Sequence, residues 1–105
     1  MSEGTWRRVA DAAEFDAAPL KIVDVDGETI VVCKVAGAFH AVEDRCSHDD
    51  GPLGEGKLEG CALACPRHGA TFDVTNGAAL SMPAVAPIRS YPVKVENGAV
   101  FVAVD

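Results

Sequence analysis

The feature that most restricts the fold of this chain is a set of valine- and isoleucine-rich runs bounded by short turns that contain glycine. Asp-Gly or Asn-Gly between two such runs is a strong signal of an antiparallel hairpin, because these residues tolerate the positive φ angles of a tight turn. The predicted turns are Asp26-Gly27, Ala36-Gly37, Asn76-Gly77 and Asn97-Gly98. The predicted strands are 20–25, 28–35, 38–42, 91–96 and 99–104. The sequence therefore predicts an all-β fold, with a small antiparallel sandwich or barrel-like base.

One short helix is predicted near the N-terminus. Asp11 and Glu14 have the spacing of a capping box, in which the first residue caps the helix and the second reaches back to its backbone. Pro19 limits this helix to a turn or two. The chain of 105 residues fits one domain, 1–105. Between about 43 and 74 glycine and proline interrupt the strand pattern, which predicts a loop-rich insert in the β base.

The charge of the chain excludes one class of partner. It has 16 Asp and Glu against 9 Lys and Arg, a formal charge of −7. Nucleic-acid binding needs clustered lysine and arginine, so this function is excluded. An uncharged stretch at 77–88 is too short to span a bilayer, and the N-terminus lacks the apolar segment of a secretory signal. We expect a cytoplasmic monomer with no membrane partner.

The residues with metal-binding chemistry form two short motifs inside the insert. Cys46-Ser47-His48 and Cys65-Pro66-Arg67-His68 have sixteen residues between them. Two thiolates and two imidazoles suit zinc or an iron–sulfur cluster with mixed ligation. One residue between Cys46 and His48 is short for chelating a single zinc ion, whose paired ligands usually have about two to four between them. The spacing favours two loops that each give one Cys and one His to different metal atoms. A zinc-stabilised interaction module is the alternative.

The pattern C-x-H-x16-C-x-x-H resembles the signature of Rieske [2Fe–2S] proteins, in which two His replace two Cys on one iron. Pro66 and Gly69 flank the second motif as they do in that family. The segment 72–77, followed by prolines and by 91–93, is similar to the corresponding part of stand-alone Rieske ferredoxins. The resemblance covers most of the chain and implies a Rieske-like fold with a two-loop cluster-binding insert.

The resemblance also implies a cofactor and its surroundings. The cofactor is one Rieske [2Fe–2S] cluster per chain. The implied ligands are Cys46 and Cys65 on one iron, and His48 and His68 on the other. Gly69 is expected to let the backbone approach the cluster sulfurs, and a loop around Pro83 is expected to cover the cluster.

Four positions depart from the respiratory, high-potential members of that family. Those proteins have two further cysteines that form a disulfide, where this chain has Gly51 and Arg67, so it cannot form that bridge. They also have Ser and Tyr hydroxyls near the cluster, where this chain has Ala70 and Phe72. Fewer donors leave the reduced cluster less stabilised. We therefore expect a midpoint in the low part of the Rieske range of roughly −150 to +300 mV.

The implied function is one-electron transfer, not catalysis. By resemblance, the chain accepts an electron from an NAD(P)H-dependent flavin reductase and passes it to the terminal oxygenase of a ring-hydroxylating dioxygenase system. The alternative functions are an accessory role in nitrite reduction and an accessory role in iron–sulfur cluster assembly. His48 and His68, on the solvent side of the cluster, are expected to face the partner, together with Asp49 and Asp50. The stretch 43–59 carries −4 of the total charge and is expected to attract basic partner surfaces.

The remaining Cys and His residues have structural interpretations. Cys33, within an apolar run, is interpreted as a small buried hydrophobe. Cys61 and His40 are interpreted as strand residues, and Trp6 as an anchor of the first strand.

Overall fold

The structure is a computed structural model that describes residues 5–45, 56–65, 70–80 and 87–104. Its strands are β1 (Thr5–Asp11), β2 (Leu20–Val25), β3 (Glu28–Val35), β4 (Ala38–Glu43), β5 (Lys57–Glu59), β6 (Ala62–Ala64), β7 (Thr71–Asp73), β8 (Ser90–Tyr91), β9 (Val93–Glu96) and β10 (Ala99–Val104). They form three antiparallel sheets with the orders β1-β10-β9, β2-β3-β4-β8 and β5-β6-β7. The predicted all-β fold is confirmed.

The sheet β2-β3-β4-β8 is the middle layer, because both of its faces are buried. Successive side chains of a strand point to opposite faces. In β3, Ile30 and Val32 pack into one core with Val100 and Val102 of β10. Val31 and Cys33 pack into a second core with residues of β6 and β7. Two buried faces explain why the sequence of β3 is an almost continuous apolar run without polar alternation.

The predicted turns are present, three of them as two-residue hairpins. Asp26, Ala36 and Asn97 have φ angles of 52° to 53°, and each is followed by a glycine that also has positive φ. The fourth turn has another form. Gly77 donates its N–H to the Asp73 carbonyl (2.6 Å), and Asp73 donates to the Ala78 carbonyl (2.9 Å). This turn closes the end of β7.

The predicted helix is a 3₁₀ helix, Ala12–Asp16, between β1 and β2. The Asp11 N–H donates to the Glu14 carboxylate (2.9 Å), which is the backbone half of the predicted capping box. Phe15 is buried, and its ring meets Phe39 edge-on with 5.2 Å between centroids. Within the described ranges, no helix is long and apolar enough to cross a membrane.

The insert has more regular structure than its composition predicts. Its described part contains the whole sheet β5-β6-β7, with three residues in each strand. Strands of this length are too short to show a recognisable alternation of apolar and polar residues. They are ordered by packing, because Leu63, Phe72 and Val74 are at most 1% exposed and lie in the core that also contains Val31 and Val42.

Candidate metal centre

The sheet β5-β6-β7 brings three points of the chain to one of its ends: the start of β5, which follows the first motif in the chain, and the two strand ends on either side of the second motif. In its register Lys57 pairs with Ala64, and Ala64 pairs with Thr71. The first motif precedes β5 in the chain, and the second lies between β6 and β7. Two separate segments therefore leave the sheet from the same row of paired residues, which supports the two-loop arrangement inferred from the spacing.

Cys65 is the residue of the two motifs that lies within the described part of the chain. It follows β6 directly and is 2% exposed. Its N–H donates to the Ala70 carbonyl at 2.7 Å, so the two ends of the four-residue segment 66–69 are held together. Cys65, Ala70 and Phe72 belong to one buried apolar cluster. The structure thus brings together three of the residues that the sequence places at or near the cluster.

The other predicted site residues lie outside the described residues. They are Cys46, His48, Asp49, Asp50, His68, Gly69 and Pro83. Among the residues that the structure describes, no three His, Cys, Asp or Glu side chains are grouped so as to hold a metal ion.

The surroundings of Cys65 fit the thiolate ligand of an iron–sulfur cluster. A thiolate bound to iron is protected when apolar side chains limit access of water, and the buried cluster that contains Cys65 also contains Leu63, Ala70 and Phe72. A backbone hydrogen bond between Cys65 and Ala70 also holds together the two residues that flank 66–69. The donor set of the two motifs, two thiols and two imidazoles, is the set that a Rieske cluster requires.

The other Cys and His residues lie outside the two motifs, although Cys33 belongs to the same buried apolar cluster as Cys65. Cys33 is 0% exposed, and burial raises the pKa of its thiol to about 12, with a smaller contribution from Cys61. This exposure confirms it as a small buried side chain. His40 is a half-buried residue of β4, and Trp6 lies in β1 beneath Lys94, whose Nζ is 4.6 Å from the ring centroid.

The interpretation of Cys61 as a strand residue is wrong. It is exposed and occupies the turn between β5 and β6 with Gly60, which has a φ of 59°. The turn forms here because glycine accepts a left-handed backbone more readily than other residues.

A polar network that the sequence analysis missed joins the end of β4 to the beginning of β8. The Glu43 carboxylate accepts hydrogen bonds from the Arg89 N–H (3.0 Å) and from Nε of Arg45 (2.9 Å). The guanidinium carbon of Arg89 lies 5.1 Å from the centroid of the Tyr91 ring, and its Nη1 lies 3.5 Å from the Glu28 carboxylate. The Tyr91 hydroxyl donates a hydrogen bond to the same carboxylate at 2.7 Å. Glu43 and Arg89 are 46 residues apart, and no local pattern in the sequence signals their contact.

Hydrogen bonds keep the Glu43 carboxyl ionised. Burial acts to raise its pKa, but the bonds from Arg89 and Arg45 and the positive charges of both residues outweigh burial. The pKa therefore lies below its usual range. Burial and the hydrogen bond to Glu28 raise the pKa of Tyr91. The Tyr91 hydroxyl therefore stays protonated and donates to the Glu28 carboxylate.

Comparison with known proteins assigns the family. The model of the Rieske [2Fe-2S] domain matches residues 5–92. The chain is 41% identical over 95 residues to the 3-phenylpropionate/cinnamic acid dioxygenase ferredoxin subunit of Escherichia coli K12, covering 90% of this chain and 86% of that protein. The ferredoxin of carbazole 1,9a-dioxygenase from Nocardioides aromaticivorans IC177 superposes with a TM-score of 0.92 at 31% identity, covering 97% of this chain and 100% of that one.

The chain also matches a second solved structure, the complex of reduced oxygenase and oxidized ferredoxin in carbazole 1,9a-dioxygenase. This match has a TM-score of 0.88 and 34% identity, and it covers 93% of this chain and 92% of that one. The chain belongs to the Rieske [2Fe-2S] domain family. Within it, the chain is a ferredoxin: an electron carrier with a Rieske-type cluster, and not a catalytic oxygenase. The zinc-stabilised module is therefore excluded.

The double substitution Ala70→Ser and Phe72→Tyr is expected to raise the midpoint potential. Both residues are 0% exposed and share the apolar cluster of Cys65, so new hydroxyls there act in a poorly solvated environment. Donors that stabilise the reduced, more negative cluster favour reduction. We expect a rise of tens of millivolts, since about 59 mV corresponds to roughly 1.4 kcal/mol for one electron.

The measurement is a redox titration of both proteins followed by visible absorbance. Ala78→Ser, at a position in the turn after β7, serves as the control and is expected to leave the midpoint unchanged. A midpoint of the unaltered protein above about +100 mV, or no rise in the double variant, contradicts the assignment of these positions to the cluster environment.

Proposed function

We propose that this ferredoxin accepts electrons from an NAD(P)H-dependent flavin reductase and delivers them to the terminal oxygenase of a ring-hydroxylating dioxygenase system. The observation that carries the proposal is the similarity, over nearly the full length of both chains, to ferredoxins of such systems. One of the similar structures is a complex of a ferredoxin with its oxygenase. This similarity favours the dioxygenase role over an accessory role in nitrite reduction or cluster assembly.

We assign the cluster ligands as Cys46 and Cys65 on one iron and His48 and His68 on the other. A bound Rieske cluster supplies reversible one-electron chemistry. The chain supplies the rest: the thiolate of Cys65 is fixed at the end of β6, and the bond from its N–H to Ala70 closes the second loop. The whole chain, 1–105, is proposed to act as one domain, with the cluster-binding insert at about 43–74.

Docking is proposed to occur at the solvent-facing end of the two loops. His48 and His68 are the proposed route for the electron, and Asp49 and Asp50 the proposed contacts for basic partner side chains. The acidic stretch 43–59 supports this orientation. The monomeric state and the cytoplasmic location stay predictions from the sequence.

The proposal is tested by reconstituting the electron-transfer chain with purified components. The reductase and oxygenase encoded beside this protein are mixed with NADH or NADPH, and hydroxylated product is measured with and without the ferredoxin. We expect product formation to depend on the ferredoxin and the ferredoxin absorbance to bleach on reduction. If the ferredoxin can be reduced chemically but the oxygenase never oxidises it, the dioxygenase role is contradicted. This result leaves the presence of a cluster intact.

The rate of electron transfer to the oxygenase is expected to fall severalfold as ionic strength rises from ~0.01 to ~1 M, because salt screens charges over a shorter distance. The variant Asp49→Asn/Asp50→Asn is expected to be slower at low salt and less sensitive to salt. Stopped-flow absorbance measures both effects. Asp16→Asn/Glu96→Gln removes two exposed charges outside the insert and serves as the control. Equal salt dependence in the two double variants contradicts docking through Asp49 and Asp50.

A further inference from the structure

One side chain connects Arg45, which precedes the first motif, with Arg89, which follows the segment 81–86. The first motif begins three residues after Glu43, the last residue of β4. The segment 81–86, which contains Pro83, returns to the described structure at 87 and reaches Arg89 before β8 begins. Glu43 contacts a residue close to each of them, because its carboxylate accepts hydrogen bonds from Nε of Arg45 and from the Arg89 N–H.

The contact between Glu43 and Arg89 is reciprocal. The Glu43 N–H donates to the Arg89 carbonyl at 2.9 Å, while the Glu43 carboxylate accepts the Arg89 N–H at 3.0 Å. A single residue therefore satisfies both backbone groups of Arg89. The backbone pairing of β4 with β8 covers Ala41 and Val42. Glu43 extends this attachment by one residue toward the first motif, with its side chain replacing a backbone acceptor.

The neighbouring contacts hold this attachment in place. The Asp44 N–H donates to the Thr29 carbonyl at 3.0 Å, which fixes the chain one residue beyond Glu43. On the other segment, the Ile88 N–H donates to the Gly77 carbonyl at 2.9 Å. Glu43 itself is only 22% exposed, so its charge-assisted hydrogen bonds are partly shielded from water.

We propose that Glu43 is a positioning residue for the cluster: it holds Arg45, next to the first ligand motif, against Arg89, three residues after the 81–86 segment. This inference rests on the proposed ligand assignment. Removal of a residue that supports metal ligands through hydrogen bonds commonly lowers metal affinity about 10- to 100-fold. Loss of the Glu43 carboxylate removes the acceptor that Arg45 and the Arg89 N–H share, so the residue next to the first ligand motif is held less firmly and the cluster environment becomes more variable.

The test compares purified holoproteins carrying Glu43→Ala, Glu43→Gln and the control Glu96→Ala. Glu96 is an exposed carboxylate in β9 that pairs with Lys94, so its removal changes the net charge by the same amount. Cluster loss is followed as the decay of visible absorbance with an iron chelator, and the reduced-state EPR spectrum is recorded for each variant. We expect Glu43→Ala to lose its cluster about tenfold faster than Glu96→Ala and to give a broadened EPR signal.

Glu43→Gln keeps one acceptor oxygen for the Arg89 N–H but loses the charge that attracts Arg45. We expect its decay rate to lie between those of the unaltered protein and Glu43→Ala. If the alanine variant assembles no cluster, the glutamine variant decides the question.

Decay rates and EPR spectra of the Glu43 variants that equal those of Glu96→Ala overturn the proposal. An unaltered protein without a Rieske signal contradicts the cluster assignment itself, so the two failures are distinguishable. Faster cluster loss with an unchanged EPR line shape also overturns the proposal, because it indicates general loss of stability without a change at the cluster.

Discussion

Replacement of His48 or His68 by alanine is expected to abolish the Rieske absorbance and the reduced-state EPR signal. Each substitution removes the imidazole that makes a Rieske centre different from a cluster with four Cys ligands, and alanine offers no replacement donor. Iron content per chain is expected to fall together with the spectrum. The measurements are visible absorbance, EPR after reduction with dithionite, and iron analysis of the purified proteins.

The same variants are expected to keep their β base. In the described part of the chain, the core between the outer sheet β1-β10-β9 and the middle sheet is built from residues outside both motifs, which include Ile30, Val32, Val100 and Val102. Far-UV circular dichroism should therefore retain the β-sheet spectrum. His40→Ala in β4 is the matched control, because it removes an imidazole outside the motifs and is expected to keep the full Rieske spectrum. Retention of that spectrum in either motif variant contradicts the ligand assignment.

The parts of this fold that could be predicted from the sequence are those set by neighbouring residues. A hairpin turn such as Asp26-Gly27 depends on two residues and the runs beside them, and the structure has it at the predicted place. The ligand motifs are equally local, because the chemistry of Cys and His and the spacing within each motif carry the information. The order of the residues was enough to indicate a Rieske cluster, and the comparisons support that cofactor.

The features that the sequence did not reveal depend on contacts between distant residues. The strands β5 to β7 are short, and they are ordered by a core that includes Val31 and Val42 from the middle sheet. The apolar neighbours of Cys61 predict a strand, whereas Gly60 makes Cys61 part of the turn. The Glu43–Arg89 contact joins residues whose polar character is ordinary for an exposed loop. Only the pairing of β4 with β8 brings them together.

Substitution of Gly77 by alanine is expected to destabilise the protein more than any other glycine substitution in the described turns. Gly77 has a φ of 81°, and a Cβ at this position overlaps the Ile88 carbonyl oxygen and lies 3.1 Å from its carbon. The clashing atoms are backbone, so a rotamer change cannot relieve the overlap. Either the turn after β7 or the segment at Ile88 has to move, and the bond from the Ile88 N–H to Gly77 is then lost.

We expect a cost of about 3 kcal/mol or more, from the left-handed backbone, the overlap and the lost hydrogen bond together. In a domain of about this size each kcal/mol lowers Tm by roughly 4–8 °C, so the Tm of Gly77→Ala should fall by more than ~12 °C. Thermal unfolding followed by circular dichroism measures the change.

Gly98→Ala separates the steric overlap from the cost of the backbone angle. Gly98 has a φ of 77°, close to that of Gly77, but a Cβ there meets no atom within 4 Å. Its substitution is expected to cost only about 1–2 kcal/mol, the penalty of a left-handed alanine. The difference between the two variants measures how tightly the turn after β7 is packed against Ile88. Equal losses of stability show that this packing yields easily, and then Gly77 is required for its φ angle alone.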